Sequence, residues 1–437
     1  MISAKFDFKL WIVFVLLGLI PAIQNTIRIY FIGEMPNESE LNISSQIQWL
    51  SILYEILKEG LMVPLFFMFS KEIKEKQSIN IAGGFILVVL IHLLFSIFIF
   101  AYAESLLSFM AVDMENKGLV HQASVYIKLE SVAILFSVAV EYLIIYLASK
   151  SDYFKLFSIV LMKSILLEVC DLFLISEKSY SLNLGVNGIA ISNIIVSVFL
   201  TVFIVLYLRH FFMFKYQSFK LDKQWFKKWL ELGSFSGLES LIRNTVFLLM
   251  ILRIVNQVNE SGNYWIANSV IWGFLLLPSL ALSQVVNRDI ALDKNNIIFK
   301  TRTYFLLILV FALLWLLLMP NMENILNKII DKNNDVIIRI ITIQTPFYIL
   351  FMFNNCILDA TMKALGLNKY MLYQSICVDI IYYGIVFCLY SYDKIQMNIE
   401  TITYIFSLGM LIDFIPSFYL YKKALNQNGI QLRYLIR

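Results

Sequence analysis

Long apolar runs alternate along the chain with short polar or charged breaks. A helix needs about 20 mainly apolar residues to cross the hydrocarbon core of a bilayer. Twelve runs are candidates: Leu10–Ile32, Ile47–Ser70, Ile79–Met110, Ala123–Ser149, Phe154–Ile175, Leu184–His210, Trp229–Val255, Tyr264–Val286, Tyr304–Leu318, Val336–Ala360, Met371–Tyr390 and Ile402–Tyr421. The third, fourth and seventh are long enough to tilt or to project beyond the bilayer. The first is too long for the apolar core of a cleaved leader, so it reads as a true span. The pattern predicts an all-α polytopic membrane protein.

Composition agrees. Of 437 residues, 59% are hydrophobic and only 15% charged, with a mean hydropathy of +0.75. Soluble domains average about 45–50% apolar and about 25% charged residues, so this chain is solvated by lipid. Assigning the loops to alternate sides puts 23 Lys and Arg on the side of the amino terminus and six on the other. The positive-inside rule then places both termini in the cytoplasm, and the expected location is a bacterial plasma membrane. No basic module suited to nucleic acid gathers anywhere. Cys170, Cys356, Cys377 and Cys388 have neither metal-site nor disulfide spacing and are expected as buried packing thiols. No phosphate-cradling glycine loop is present, so ATP does not drive this chain. No metal or other cofactor and no catalytic cluster is expected.

The longest basic connection lies at mid-chain. It divides the sequence into an amino-terminal lobe (1–211, spans one to six), a basic cytoplasmic linker (212–228) and a carboxy-terminal lobe (229–437, spans seven to twelve). Six spans per lobe give the halves the same orientation, with a pseudo-two-fold axis along the membrane normal. Gly60 and Pro64 in span two have counterparts in Gly273 and Pro278 of span eight. Two such bundles around a central cavity are a transporter layout.

Ionised side chains in hydrocarbon cost several kcal/mol, about 2.5 to more than 10, so those inside spans are functional candidates. Eleven of seventeen lie in the first half, which points to a polar cavity there. Glu104, Lys128, Glu130, Arg253 and Asp413 lie toward span ends and are expected to snorkel. Glu55, Lys58 and Glu59 are i, i+3, i+4 neighbours that can neutralise one another or line the cavity. Glu239 and Arg243 form an i, i+4 pair at the centre of span seven, either a structural bridge or part of the site. Glu168 and Asp171 are like charges one turn apart on span five, suited to holding a cation or a proton. Asn193 on span six could add a neutral oxygen ligand, and Lys163 is an alternative partner for Asp171. Trp272 is a candidate cavity wall, whereas Trp11, Trp49, Trp225, Trp229 and Trp265 read as an interfacial belt. His92 is expected to be buried in span three. The sequons at Asn37 and Asn42 carry little weight.

Three local patterns give a family resemblance. Asp171-Leu172-Phe173 followed by Gly185-Val186-Asn187-Gly188, Leu232-Gly233 opening span seven, and Ala364-Leu365-Gly366 after span ten occur in that order. Together with the two six-helix lobes, they resemble the multidrug and toxic compound extrusion (MATE) family, in the superfamily that includes lipid-linked oligosaccharide flippases. The resemblance implies a secondary-active exporter of organic, amphipathic substrates. It would work by alternating access as a monomer in the lipid bilayer, driven by a proton or sodium gradient. A flippase for a lipid-linked or anionic precursor is the alternative. The departures are specific. The family's aspartate on span one falls at Arg28 here and its span-seven glutamate at Arg243, with Glu239 one turn earlier. The span-ten carboxylate maps to Asn354, with Asp359 nearby. Asp171 keeps the acidic position on span five. The resemblance therefore implies a coupling site of Asp171, Glu168, Asn193 and Arg28, with Arg28 as a tethered cation where relatives take sodium. Together with the interior residues read above from position and spacing, this gives a candidate substrate cavity of Glu55, Glu59, Glu239, Arg243, Asn354, Asp359 and Trp272.

Overall fold

The computed structural model describes residues 6–33, 43–71, 74–110, 117–149, 152–207, 223–329 and 335–432. Among them the chain is helical apart from short turns, with no strand. Asn37 and Asn42 of the sequons and residues 208–222 of the basic connection lie outside the described residues.

A helix, straight or interrupted, covers each of the twelve apolar runs. They are α1 (Phe8–Gly33), α2 (Trp49–Leu61 and Val63–Lys71), α3 (Lys74–Ala101 and Ala103–Phe109), α4 (Lys117–Ser149), α5 (Tyr153–Leu174) and α6 (Gly185–Tyr207). Then follow α7 (Lys223–Phe247, Leu248–Leu252 and Arg253–Gln257), α8 (Ser261–Val270, Ile271–Leu275 and Leu277–Leu292) and α9 (Asn296–Leu318). The last are α10 (Asp335–Phe353, Asn354–Asp359 and Ala360–Ala364), α11 (Asn368–Ser375, Ile376–Tyr382 and Tyr383–Ser391) and α12 (Ile399–Gln427). Eight of these are apolar enough over their length to cross a membrane, and α8, bent by 52°, makes a ninth. The remaining three fall short: α2 is split into pieces of 13 and 9 residues, and α5 and α7 carry several charged side chains. The chain is a multi-pass membrane protein. Rows of exposed leucines such as Leu313, Leu314 and Leu317 on α9 are what a lipid-facing helix requires.

Interruptions have local causes. Pro64 sits just past the break in α2 and cannot donate to the carbonyl of Gly60. Pro278 opens the second half of α8 in the same way. The middle segments of α7, α8, α10 and α11 are wide π turns, a geometry that recurs at functional positions.

The chain packs as two compact units, one of Gln24–Gln257 and one of Met1–Ile23 with Val258–Arg437. Helix α1 therefore passes from one unit to the other two residues after Pro21, and α7 belongs to the unit of α2–α6. This grouping differs from the sequence division at 212–228, because α7 packs on α2 through glycines. A Cβ on Gly233 would lie 2.5 Å from the Gly60 carbonyl oxygen, and one on Gly237 3.1 Å from the Gly60 Cα. Two side-chain clusters fill this unit. Val140, Leu143, Leu167, Val196 and Leu200 join α4, α5 and α6. Met62, Leu65, Phe69, Val138, Tyr142 and Trp229 join α2, α4 and α7. In the other unit, Trp11 donates to the Pro278 carbonyl at 3.0 Å and stacks on Phe311.

Two expectations are corrected by this packing. Trp49, Trp225 and Trp229 are core residues rather than belt residues, and the Trp229 indole bonds the Leu61 carbonyl at 2.8 Å, the carbonyl adjacent to the α2 break. Of the cysteines only Cys356 is buried, whereas Cys377 and Cys388 are exposed, because α11 turns that face outward.

Candidate functional site

Among the described residues of the Gln24–Gln257 unit, three ion-paired groups gather most of the interior charges. On α1, Arg28 forks onto Asp171 of α5, with Nε 2.7 Å from Oδ2 and Nη2 3.1 Å from Oδ1. Asp171 is 0% exposed and the Arg28 side chain 13%. Both carboxylate oxygens are engaged by one planar guanidinium, the strongest form of ionic hydrogen bonding. On α2, Lys58 lies 3.5 Å from Glu55 and 3.5 Å from Glu141 of α4. On α7, Arg243 holds Glu59 at 2.6 Å and Glu239 at 2.9 Å, and donates to Asn244 at 3.2 Å. The groups of the last two pairings are 16–43% exposed, while Asp171 is fully buried.

Acidic groups outnumber their partners. Glu130 on α4 accepts from the Asn193 amide on α6 at 3.1 and 3.0 Å, and Arg28, Lys163 and Tyr54 lie within electrostatic reach of it. Glu168, one turn before Asp171, has a buried Oε1 with no hydrogen-bond partner. Tyr54 shares a hydrogen bond with Ser96 at 2.7 Å, and the buried His92 binds its own helix at Val88.

Several sequence expectations change here. Asn193 does not offer an oxygen to Glu168 and Asp171: its nitrogen donates to Glu130 instead. Lys163 is not the partner of Asp171, because Arg28 fills that place. Glu59 leaves its neighbours Glu55 and Lys58 for Arg243. Glu130 is no snorkelling end residue. Helix α4 starts at Lys117, before the apolar run that located the span, which puts Glu130 well inside.

Asn354, Asp359 and Trp272 belong to the other unit. The Asn354 amide donates to Asp413 of α12 at 2.7 Å, and Gln374 of α11 donates to the same carboxylate at 2.8 Å. Asp413, expected near a span end, is at the middle of α12. Asp359 is buried in the π turn of α10. Trp272 donates to the Tyr348 hydroxyl at 3.1 Å within an aromatic cluster that includes Phe351 and Trp315. Asp289 binds Lys300 and the Tyr304 hydroxyl, both at 2.7 Å, tying α8 to α9. Gln374 carried no signal beyond being polar in an apolar run. Among the described residues, no group of three or more His, Cys, Asp or Glu could hold a metal.

Interrupted, charge-paired helices of this kind define a polytopic α-helical membrane protein with a polar interior. Its fold is that of the MATE transporters of the MOP superfamily. The chain superposes on the MATE multidrug transporter DinF-BH with a TM-score of 0.75 at 13% identity, over 98% of each chain. An inward-facing multidrug resistance MATE family transporter gives 0.70 at 16% identity, over 94% of this chain and 95% of the other. A MOP superfamily transporter from Pyrococcus furiosus, for which reverse polarity of the binding pocket suggests a different function, gives 0.71 at 14%, over 96% and 95%. No protein-family model and no curated protein matches the chain.

Proposed function

We propose that this protein is a secondary-active exporter of amphipathic organic molecules, working by alternating access in a plasma membrane with both termini in the cytoplasm, and that protons rather than sodium drive it. The fold supports a transport role. The Arg28–Asp171 pair carries the choice of ion. A sodium ion needs carboxylate and carbonyl oxygens free to surround it, and both oxygens of Asp171 already accept from a guanidinium that cannot lose its proton. Glu130 and Glu168 have no basic partner within ion-pair distance among the described residues. Carboxyls placed like this take up and release a proton as their surroundings change between wet and dry.

A flippase for a pyrophosphate-linked precursor would need free guanidinium groups in the cavity. Arg28 and Arg243 are both closed by carboxylates, so the geometry favours the exporter. The test is efflux of a fluorescent organic dye from cells expressing the protein. An uncoupler should abolish efflux and removal of sodium should leave it intact. Sodium-stimulated efflux that Asp171→Asn abolishes would refute the tethered-cation argument.

A further inference from the structure

The interior cations of the Gln24–Gln257 unit are unequally matched. Arg28 is held by Asp171, Lys58 by Glu55 and Glu141, and Arg243 by Glu59 and Glu239. Lys128 and Arg253 lie over the rings of Phe100 and Phe109 at 5.9 and 5.4 Å. Lys163, in the middle of α5 and half-buried, has no hydrogen bond or ion pair among the described residues. Glu141 and Glu130 reach it only through space, as do Lys58 and Arg28. An ammonium withdrawn from water without a partner is unfavourable, and an arriving anion relieves that. Glu130 on α4 is its counterpart: both of its carboxyl oxygens face a single neutral amide, and Lys163 acts on it only through space.

We propose that Lys163 receives an acidic group of the transported molecule while Glu130 faces its amine, so that the substrate is a zwitterionic amphiphile rather than a simple organic cation. The two basic residues that the sequence offers for an anion, Arg28 and Arg243, are already closed, and Lys163 is open. The separated charges on α4 and α5 match a ligand with both signs, and such a ligand leaves the ion pairs around it undisturbed. This inference rests on reading the unit as the substrate site of an exporter.

The experiment uses a matched pair of probes: a rhodamine dye with a free benzoate, which is zwitterionic, and the ethyl ester of the same dye, which is cationic. Binding of each to the purified full-length protein is read by fluorescence polarisation. The wild type should bind the acid about tenfold more tightly than the ester, the scale of one charge-assisted contact. Lys163→Gln should bring that ratio close to unity, and Lys163→Arg should keep most of it. The wild-type comparison needs no variant. Equal binding of acid and ester, binding of neither, or a ratio that survives Lys163→Gln overturns the proposal. Gradient-driven efflux of the ester with no preference for the acid would sink this inference alone and leave the exporter standing.

Discussion

The most exacting consequence of the structure is the cost of breaking the Arg28–Asp171 pair from one side. Asp171 is 0% exposed and the Arg28 side chain only 13%, so solvent screening offsets little of the loss. Removing one partner of such a pair leaves an uncompensated charge and typically destabilises by about 3–5 kcal/mol. Arg28→Gln strands Asp171, and Asp171→Asn strands Arg28, so each should fall in that range. The double variant carries no charge and pairs one amide with another, so it should recover much of the loss. The coupling energy between the two positions should reach at least about 2 kcal/mol, well above the additive behaviour of distant sites. Reversible unfolding of the four proteins in mixed micelles, with increasing sodium dodecyl sulfate, gives all four free energies. If Arg28→Gln stays within about 0.5 kcal/mol of the wild type, or the two costs simply add, the pair is not the closed ionic contact described here.

Three further outcomes follow from other contacts. Gly233→Ala places a methyl 2.5 Å from the Gly60 carbonyl, where the obstacle is backbone, so the α2–α7 seam should open at a cost of about 1–3 kcal/mol; an unchanged unfolding midpoint would contradict the seam. Asp289→Asn removes the ionic partner of Lys300, whose side chain is 12% exposed, and should destabilise by about 3 kcal/mol or more in the same assay. Asp152 caps α5 outside the membrane, and its hydrogen bond with Lys155 holds its carboxyl below the usual carboxylate range. A depressed acid contributes stability above its unfolded value and loses it as pH falls through the folded one. Asp152→Ala should therefore matter only above about pH 4, and by about 0.5 kcal/mol or less, since the cap bond is long at 3.4 Å; a pH-independent loss would exclude the cap.

Helix positions were legible in the sequence because lipid imposes one rule on every span: backbone groups satisfied within the segment and apolar side chains outside. That rule located α9 and α12 as readily as α2 and α5, despite the charges of the latter. Pairings were less legible. Glu239 and Arg243 are four residues apart, and helical geometry alone brings them together. The contacts of Glu59 with Arg243 and of Asn193 with Glu130 join different helices, and nothing in local spacing encodes which faces meet. Glu130 was misplaced for a further reason: α4 begins at Lys117, six residues before its apolar run, so a span end judged from hydropathy falls short of the helix end. The tryptophans fail in the same manner. Trp229 looks interfacial by position, but its indole nitrogen is bonded to the Leu61 carbonyl beside the α2 break.

The central claim is that a closed Arg28–Asp171 pair leaves protons, not sodium, to drive export. Its most direct test is dye transport by the purified protein in proteoliposomes under an imposed pH gradient without sodium, against an imposed sodium gradient at equal pH. The account requires dye movement under the first and none above the protein-free level under the second. Movement driven by sodium alone, or under neither gradient, would contradict it.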